Sequence, residues 1–332
     1  MSEKARAEIA DQPPWRLSEF LLRWETILIC MLAAVFVGDT LLSPYFLDVY
    51  NLSDATSNFS EKAIIAMGMA LLILAREIDL SVAAIIAVSS LAMGLASRAG
   101  AGPTSLVLIG LAVGAACGSF NGFLVAHVGL PSIVVTIGTM SLFRGIAQVV
   151  LGDQAITDYP PGFQALGQDY VIKWPPLHYS FSLFLIIAIV FALVLHRTVL
   201  GRKLYAIGNN PIAARFSGIA VDRIKFGLFV LSGALSGLAA VLLTARIGST
   251  RPNIALGWEL EVITMVILGG VSIAGGSGTI PGVVIAVFVL GLVTFGLSLI
   301  NVPGIVISVI LGSLLIASIT LPILTRRFMA LR

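Results

Sequence analysis

Apolar residues run along this chain in long blocks, bounded by short polar, charged or glycine-rich breaks. A bilayer core about 30 Å thick takes roughly 20 apolar residues per helix, fewer where helices are broken or covered by neighbours. On that measure ten blocks predict spans, at about 26–42, 63–75, 82–96, 105–125, 131–151, 180–195, 226–245, 260–273, 280–300 and 304–321. The second, third and eighth are short and bounded by glycine or charge, which predicts tilted, broken or re-entrant helices. The expected fold is an all-α polytopic membrane bundle of about ten transmembrane helices, some short or broken. It divides into a tail (1–25), a transmembrane domain (26–322) holding a polar loop (196–225), and a second tail (323–332).

Composition agrees with the pattern. Of 332 residues 58% are apolar and 11% charged, and the mean hydropathy is +1.02. A soluble domain carries about 25% charged residues, so the apolar excess must face lipid. The N-terminal stretch alternates acid and base from Glu3 to Glu25. It lacks a small-residue cleavage site, so an uncleaved anchor behind a short tail is expected.

Charge sets an expected orientation through the excess of Lys and Arg on cytoplasmic loops. With the N-terminus inside, fourteen basic residues fall inside and five outside: Lys62, Arg98, Lys173, Arg246 and Arg251. Arg144 is left within a span. Both termini are therefore expected in the cytoplasm.

Several chemistries are excluded. A scattered net charge of +3 does not build a nucleic-acid groove. Cys30 and Cys117 sit in apolar runs and read as small core residues. His127, His178 and His196 lie far apart, without ligand spacing. No paired His, Ser–His, Ser–Lys or clustered Asp stands within the spans, so an intramembrane enzyme is not expected. The chain has no G-x-x-x-x-G-K-[ST] loop. No cofactor is expected on it, and any ATP and Mg²⁺ belong to another polypeptide.

Gly110, Gly114, Gly118 and Gly122 occupy one face of the fourth span, and Gly233 and Gly237 repeat the spacing in the seventh. Helices in lipid associate through close backbone contact at small residues, so these predict tight packing, or alternatively a sliding face. Polar groups within spans cost more. Arg144 would cost about 2.5–3.5 kcal/mol at a helix centre, so it either lines a route and fixes helices together or snorkels to an interface. Asn121 is a candidate cross-helix hydrogen-bonding group. Asp79 and Ser81, in the break Arg76-Glu-Ile-Asp-Leu-Ser81, are good helix caps; the break is a plain turn or an elbow in a translocation pathway. A second break, Gly269-Gly270 followed by Gly275-Gly276-Ser277-Gly278, matches no phosphate-binding loop.

The segment after the sixth span is the most informative. Asn209 or Asn210 can cap a helix that has Pro211 at its first position. Ile212, Ala213, Ala214, Arg215 and Phe216 then give about one and a half turns before Gly218 stops them. So short a helix is unstable alone and needs a protein or lipid surface.

The pattern Gly201-Arg-x-x-Tyr-Ala-Ile-Gly-Asn-Asn…Ala213-Ala-Arg-x-Ser-Gly-Ile219 resembles the cytoplasmic loop of permease subunits from ribose-type bacterial ABC sugar importers. Glu77-Ile-Asp-Leu-Ser81 is similar to that family's Gly-Ile-Asp-Leu-Ser. Leu268-Gly-Gly-Val-Ser272 with Gly275-Gly-Ser-Gly-Thr279 is similar to its Leu-Gly-Gly-x-Ser…Gly-Gly-x-Gly. The motifs run in order from the second span to the ninth. Glu77 and Ala83 depart from the pattern, since glycine is usual at both positions.

The resemblance implies an importer of a monosaccharide, related polyol or autoinducer in the bacterial inner membrane. Its partners would be cytoplasmic ATPase subunits, a periplasmic sugar-binding protein and a second permease subunit, identical or paralogous, besides membrane lipid. It implies that Gly208, Asn209, Asn210, Pro211, Ala213, Ala214, Arg215, Gly218 and Ile219 form the segment seated in an ATPase groove. Arg215 would be the charged anchor there, with Ala213 and Ala214 allowing close approach. Arg144, Asn121, Asp79 and Ser81 stand as candidates for the translocation pathway. The alternative is an ion-coupled carrier or channel, which would place acidic groups mid-membrane. Here Asp39, Glu61, Glu77, Asp79, Glu259 and Glu261 are read at span ends.

Overall fold

The computed structural model describes residues 24–330, which form thirteen helices and one two-stranded hairpin. In chain order they are α1 (Trp24–Leu42), α2 (Val49–Leu74), α3 (Val82–Arg98), α4 (Pro103–Ala126), α5 (Ser132–Leu151), α6 (Pro161–Gln168), β1 (Tyr170–Lys173), β2 (Pro176–His178), α7 (Tyr179–Arg197), α8 (Val199–Asn209), α9 (Pro211–Phe216), α10 (Val221–Ile247), α11 (Trp258–Leu268), α12 (Ile280–Leu299) and α13 (Gly304–Ala330). Seven of them, α1, α2, α4, α5, α7, α10 and α12, are long and apolar enough to cross a membrane. α3 is a shorter apolar helix of 17 residues, and α11 has 11.

α2 is the axis of the bundle. From Ala63 to Ala75 nearly every side chain is fully buried, with α7, α10, α11 and α12 packed around it. Its length corrects the short second span expected at 63–75. Asp48 caps it, its carboxylate accepting from Tyr50 N and Asn51 N at 2.9 and 3.1 Å, and the helix starts at Val49. The polar half was not legible as a span because its hydropathy is low, yet its groups are paired inside the fold. Glu61, fully buried, accepts from Arg246 Nε of α10 at 2.7 Å. Arg246 also donates to Asn58 at 2.7 Å, and Lys62 pairs with Glu261 of α11. Glu61 therefore lies in mid-helix and not at a span end.

The tightest helix pair is α4 against α10. A Cβ on Gly114 would stand 2.7 Å from Gly237 Cα, and one on Gly118 would stand 2.9 Å from Gly233 Cα. Gly110 faces Val241 and Met93, and Gly122 faces Phe226 and Phe229. All four glycines of the stripe thus point at a neighbour, and only the missing side chains let the backbones meet.

The end of the bundle that carries α8 and α9 is here termed basal, and the other end distal. Distally, a bridge between Ile156 and Thr250 ties the loop after α5 to the loop after α10. Beneath it, the hydroxyls of Ser90, Thr244, Thr250 and Tyr159 form a buried chain with spacings of 2.6–2.8 Å. Among the seven long apolar helices α5 is the least covered besides α1, and it carries Val149 at 86% exposure. One boundary differs from the sequence reading: the expected eighth span ends at Leu268, and the glycine loop that follows is not helical. α13 runs to Ala330; of the first tail, residues 1–23 lie outside the described residues.

Candidate functional site

Three irregular segments converge at the basal end: the break between α2 and α3, the α8–α9 junction, and the loop between α11 and α12. The junction is close because it is built from backbone. Gly276 N donates to Leu74 O at 3.0 Å, and a Cβ on Gly208 would stand 2.7 Å from Gly276 Cα. Gly275 and Gly276 hold φ of +78° and +73°, a region that favours glycine. Arg76 also has positive φ, +65°, which is costly for a side-chain-bearing residue. Two hydrogen bonds hold it there: Arg76 donates to Ala274 O at 2.8 Å and to Asn209 O at 3.0 Å. Tyr205 of α8 adds a third tie, donating to Gly278 O at 2.7 Å. Burial raises the phenol pKa above its ordinary value.

α9 stands on this platform. Of the two asparagines that could cap it, Asn210 does so: its Oδ1 accepts from Ile212 N and Ala213 N, each at 3.0 Å. Asn209 instead donates to Tyr205 O at 2.9 Å. The helix closes with Ile219 N on Ala214 O at 3.1 Å and with Gly218 at φ +80°. Its two faces differ sharply. Ala214 is 4% exposed and packs into the chain, whereas Phe216 is 90% and Ile212 69% exposed. The free face is therefore Ile212, Ala213 and Phe216, with Arg215 beside them in an ion pair to Asp222 of α10. Ala214 does not reach it.

Above the platform the break turns inward. Asp79 is fully buried. Its carboxylate accepts from Ser81 N at 2.9 Å, from Ser81 Oγ at 2.6 Å and from Ser232 Oγ of α10 at 3.2 Å. Asn121 of α4, also fully buried, donates to Ser81 Oγ at 2.8 Å. Three of the pathway candidates, Asp79, Ser81 and Asn121, thus form one polar knot joining the break to α4 and α10. The capping chemistry foreseen for Asp79 operates within it, since it holds the N–H of Ser81 just ahead of α3. Glu77, two residues earlier, pairs with Lys225 of α10. That pair and the Arg215–Asp222 pair line a single cavity of about 460 Å³, together with His127 and Ser132.

Arg144 stands apart from the knot. It donates to Pro252 O at 3.0 Å, Ile254 O at 2.7 Å and Ala83 O at 3.1 Å. Of the readings open to it, this geometry is that of a clamp between α5, the first turn of α3 and the distal loop. Sequence reasoning placed Arg76 in the break and Tyr205 in the loop motif without giving either a role, and it passed over the helix α8 and the Glu77–Lys225 pair. The glycine doublets were a signal for a close approach, but nothing marked which backbone they approach.

The family described as "Branched-chain amino acid transport system / permease component" matches residues 51–319, which spans every element of this platform. The chain belongs to this permease family. It is similar to the ribose import permease protein RbsC of Bacillus subtilis (strain 168), 35% identical over 252 residues, 75% of this chain and 77% of the relative. It is similar to the autoinducer 2 import system permease protein LsrC of Enterobacter sp. (strain 638), 34% identical over 247 residues, 74% and 71% of the two chains. The D-allose transport system permease protein AlsC of Escherichia coli (strain K12) is 34% identical over 321 residues, 96% of this permease and 97% of its own length. No solved structure gives a significant match. The permease is thus a multi-pass membrane protein whose work is transport.

Proposed function

We propose that this permease is the translocation subunit of an ATP-driven importer for a monosaccharide or a related small polyol or autoinducer. It sits in a bacterial inner membrane with both termini and α8–α9 in the cytoplasm, on the side favoured by its Lys and Arg residues. Separate ATPase subunits bind and hydrolyse ATP with Mg²⁺, a periplasmic binding protein delivers the solute, and a second permease subunit, identical or paralogous, completes the pathway. Ribose, autoinducer 2 and allose are the solutes in the relatives' names, and they define the class to be tested.

The observation that carries this reading is the two-faced α9. A six-residue helix is far too short to persist in water alone, yet it is capped at its start, seated on a glycine-built platform and presents Phe216 to solvent. A lone aromatic anchor with aliphatic neighbours is what a groove on a partner grips. The platform below it joins the ends of α2, α8 and α11, so a push on α9 reaches three bundle elements together. Small displacements of a docked element bias bistable helix packings.

Proteoliposomes containing the permease, its ATPase and a solute-loaded binding protein test the reading. Uptake of ribose, allose or autoinducer 2 is expected only with ATP, and it should persist when an uncoupler collapses ion gradients. Uptake that continues without ATPase subunits, or stops with the uncoupler while ATP is present, refutes it.

A further inference from the structure

The two ion pairs that line the basal cavity sit on consecutive turns of one helix. Arg215 of α9 pairs with Asp222, and three residues later on α10 Lys225 pairs with Glu77 of the break. Residues three apart on a helix share a face, so both bridges lie on the same side of α10 and open onto one space of about 460 Å³. Their environments differ. The Arg215–Asp222 side chains are 60% and 43% exposed, and the Lys225–Glu77 side chains only 17% and 8%. An exposed pair makes and breaks at little cost, whereas parting a buried pair leaves an uncompensated charge out of water.

We propose that these four residues form a two-stage linkage that carries displacement of α9 into the α2–α3 break. The outer bridge is the compliant stage, keeping α9 tethered to the first turn of α10 as it tilts. The inner bridge is the stiff stage, making residues 77–79 follow α10. Through the knot of Asp79, Ser81, Ser232 and Asn121, the break then moves with α4 and α3. Glu77 and Lys225 are positioning residues here, acting through the elements they join. The linkage rests on the ATP-driven reading above.

The test is the number of solute molecules taken up per ATP hydrolysed in proteoliposomes holding permease, ATPase and loaded binding protein. Glu77→Gln and Lys225→Met should each lower that ratio about tenfold while ATP hydrolysis continues. The exchange Glu77→Lys with Lys225→Glu should restore most of it. Because a half-broken buried pair can prevent folding, the same measurement is made on the exposed bridge. Asp222→Asn should lower the ratio, while Asp222→Glu, which keeps the bridge and leaves Arg215 in place for the ATPase, should not. Unchanged ratios in Glu77→Gln, Lys225→Met and Asp222→Asn, or a Glu77–Lys225 exchange no better than its singles, overturn the linkage while leaving ATP-driven uptake intact. Wild-type uptake that is independent of ATP overturns both.

Discussion

Adding one methyl group at Gly114 tests how the bundle is held. A Cβ at this position stands 2.7 Å from Gly237 Cα and 2.8 Å from Gly237 N. Non-bonded carbons rest about 3.5–4.0 Å apart, so α10 must retreat by about 1 Å. The atoms in the way are backbone and cannot rotate aside, and overpacking of this kind costs about 1–3 kcal/mol. Gly→Ala also changes helix propensity, by about 0.8–1 kcal/mol. Gly145→Ala on α5 supplies that same term without the clash, since nothing lies within 4 Å of its Cβ position. Reversible unfolding of the isolated chain by SDS in mixed micelles, read by fluorescence, gives the difference. Gly114→Ala should be less stable than Gly145→Ala by about 1–3 kcal/mol. A difference within about 0.5 kcal/mol, the range of ordinary surface substitutions, refutes the claim that the glycine face sets the α4–α10 distance.

Three further outcomes are expected. Asp79→Ala strands the hydroxyls of Ser81 and Ser232 in a buried site and should cost about 1–3 kcal/mol for the first unsatisfied group; Asp79→Asn, which keeps an acceptor, should cost less in the same titration. Arg144→Met removes charged donors from three carbonyls, at about 1.5–3 kcal/mol, and should make the loop at 248–257 susceptible to protease while the basal end stays protected. Phe216→Asp and Ala214→Asp should separate by their exposure. The first should leave the chain folded but weaken ATPase association by about 2 kcal/mol, roughly thirtyfold; the second buries a charge and should lower the amount of folded chain in the membrane.

Much of the bundle was legible because lipid imposes a simple rule on each spanning segment. The apolar blocks marked α1, α4, α5, α7, α10 and α12, and the glycine spacing on α4 and α10 pointed to tight packing of each, though not to each other as partners. The cap on α9 could be narrowed to two asparagines, because only a polar side chain before Pro211 could satisfy the free N–H groups. The failures share one cause. Wherever a polar group is answered by a partner far along the chain, local hydropathy misjudges it. Asn58, Glu61 and Lys62 made the first half of α2 look like a loop, although Arg246 and Glu261 neutralise it. Asp79 could be read as the cap of a plain turn or as part of an elbow, because Ser232 and Asn121, its neighbours in the knot, lie far along the sequence. At the basal platform, positive φ at Gly275 and Gly276 was foreseeable in kind. The same geometry at Arg76 was not, because a strained arginine depends wholly on the two carbonyls it reaches.

The ion pair between α2 and α10 bears on how the polypeptide is made. A ribosome releases Glu61 into the insertion machinery long before Arg246, its counter-charge, has been synthesised. Until then α2 carries a carboxylate that hydrocarbon rejects by several kcal/mol, so this segment should linger at the translocon or the headgroup layer. Its final burial waits on the C-terminal half, and nascent chains truncated ahead of α10 should leave the first half of α2 open to water-soluble labels.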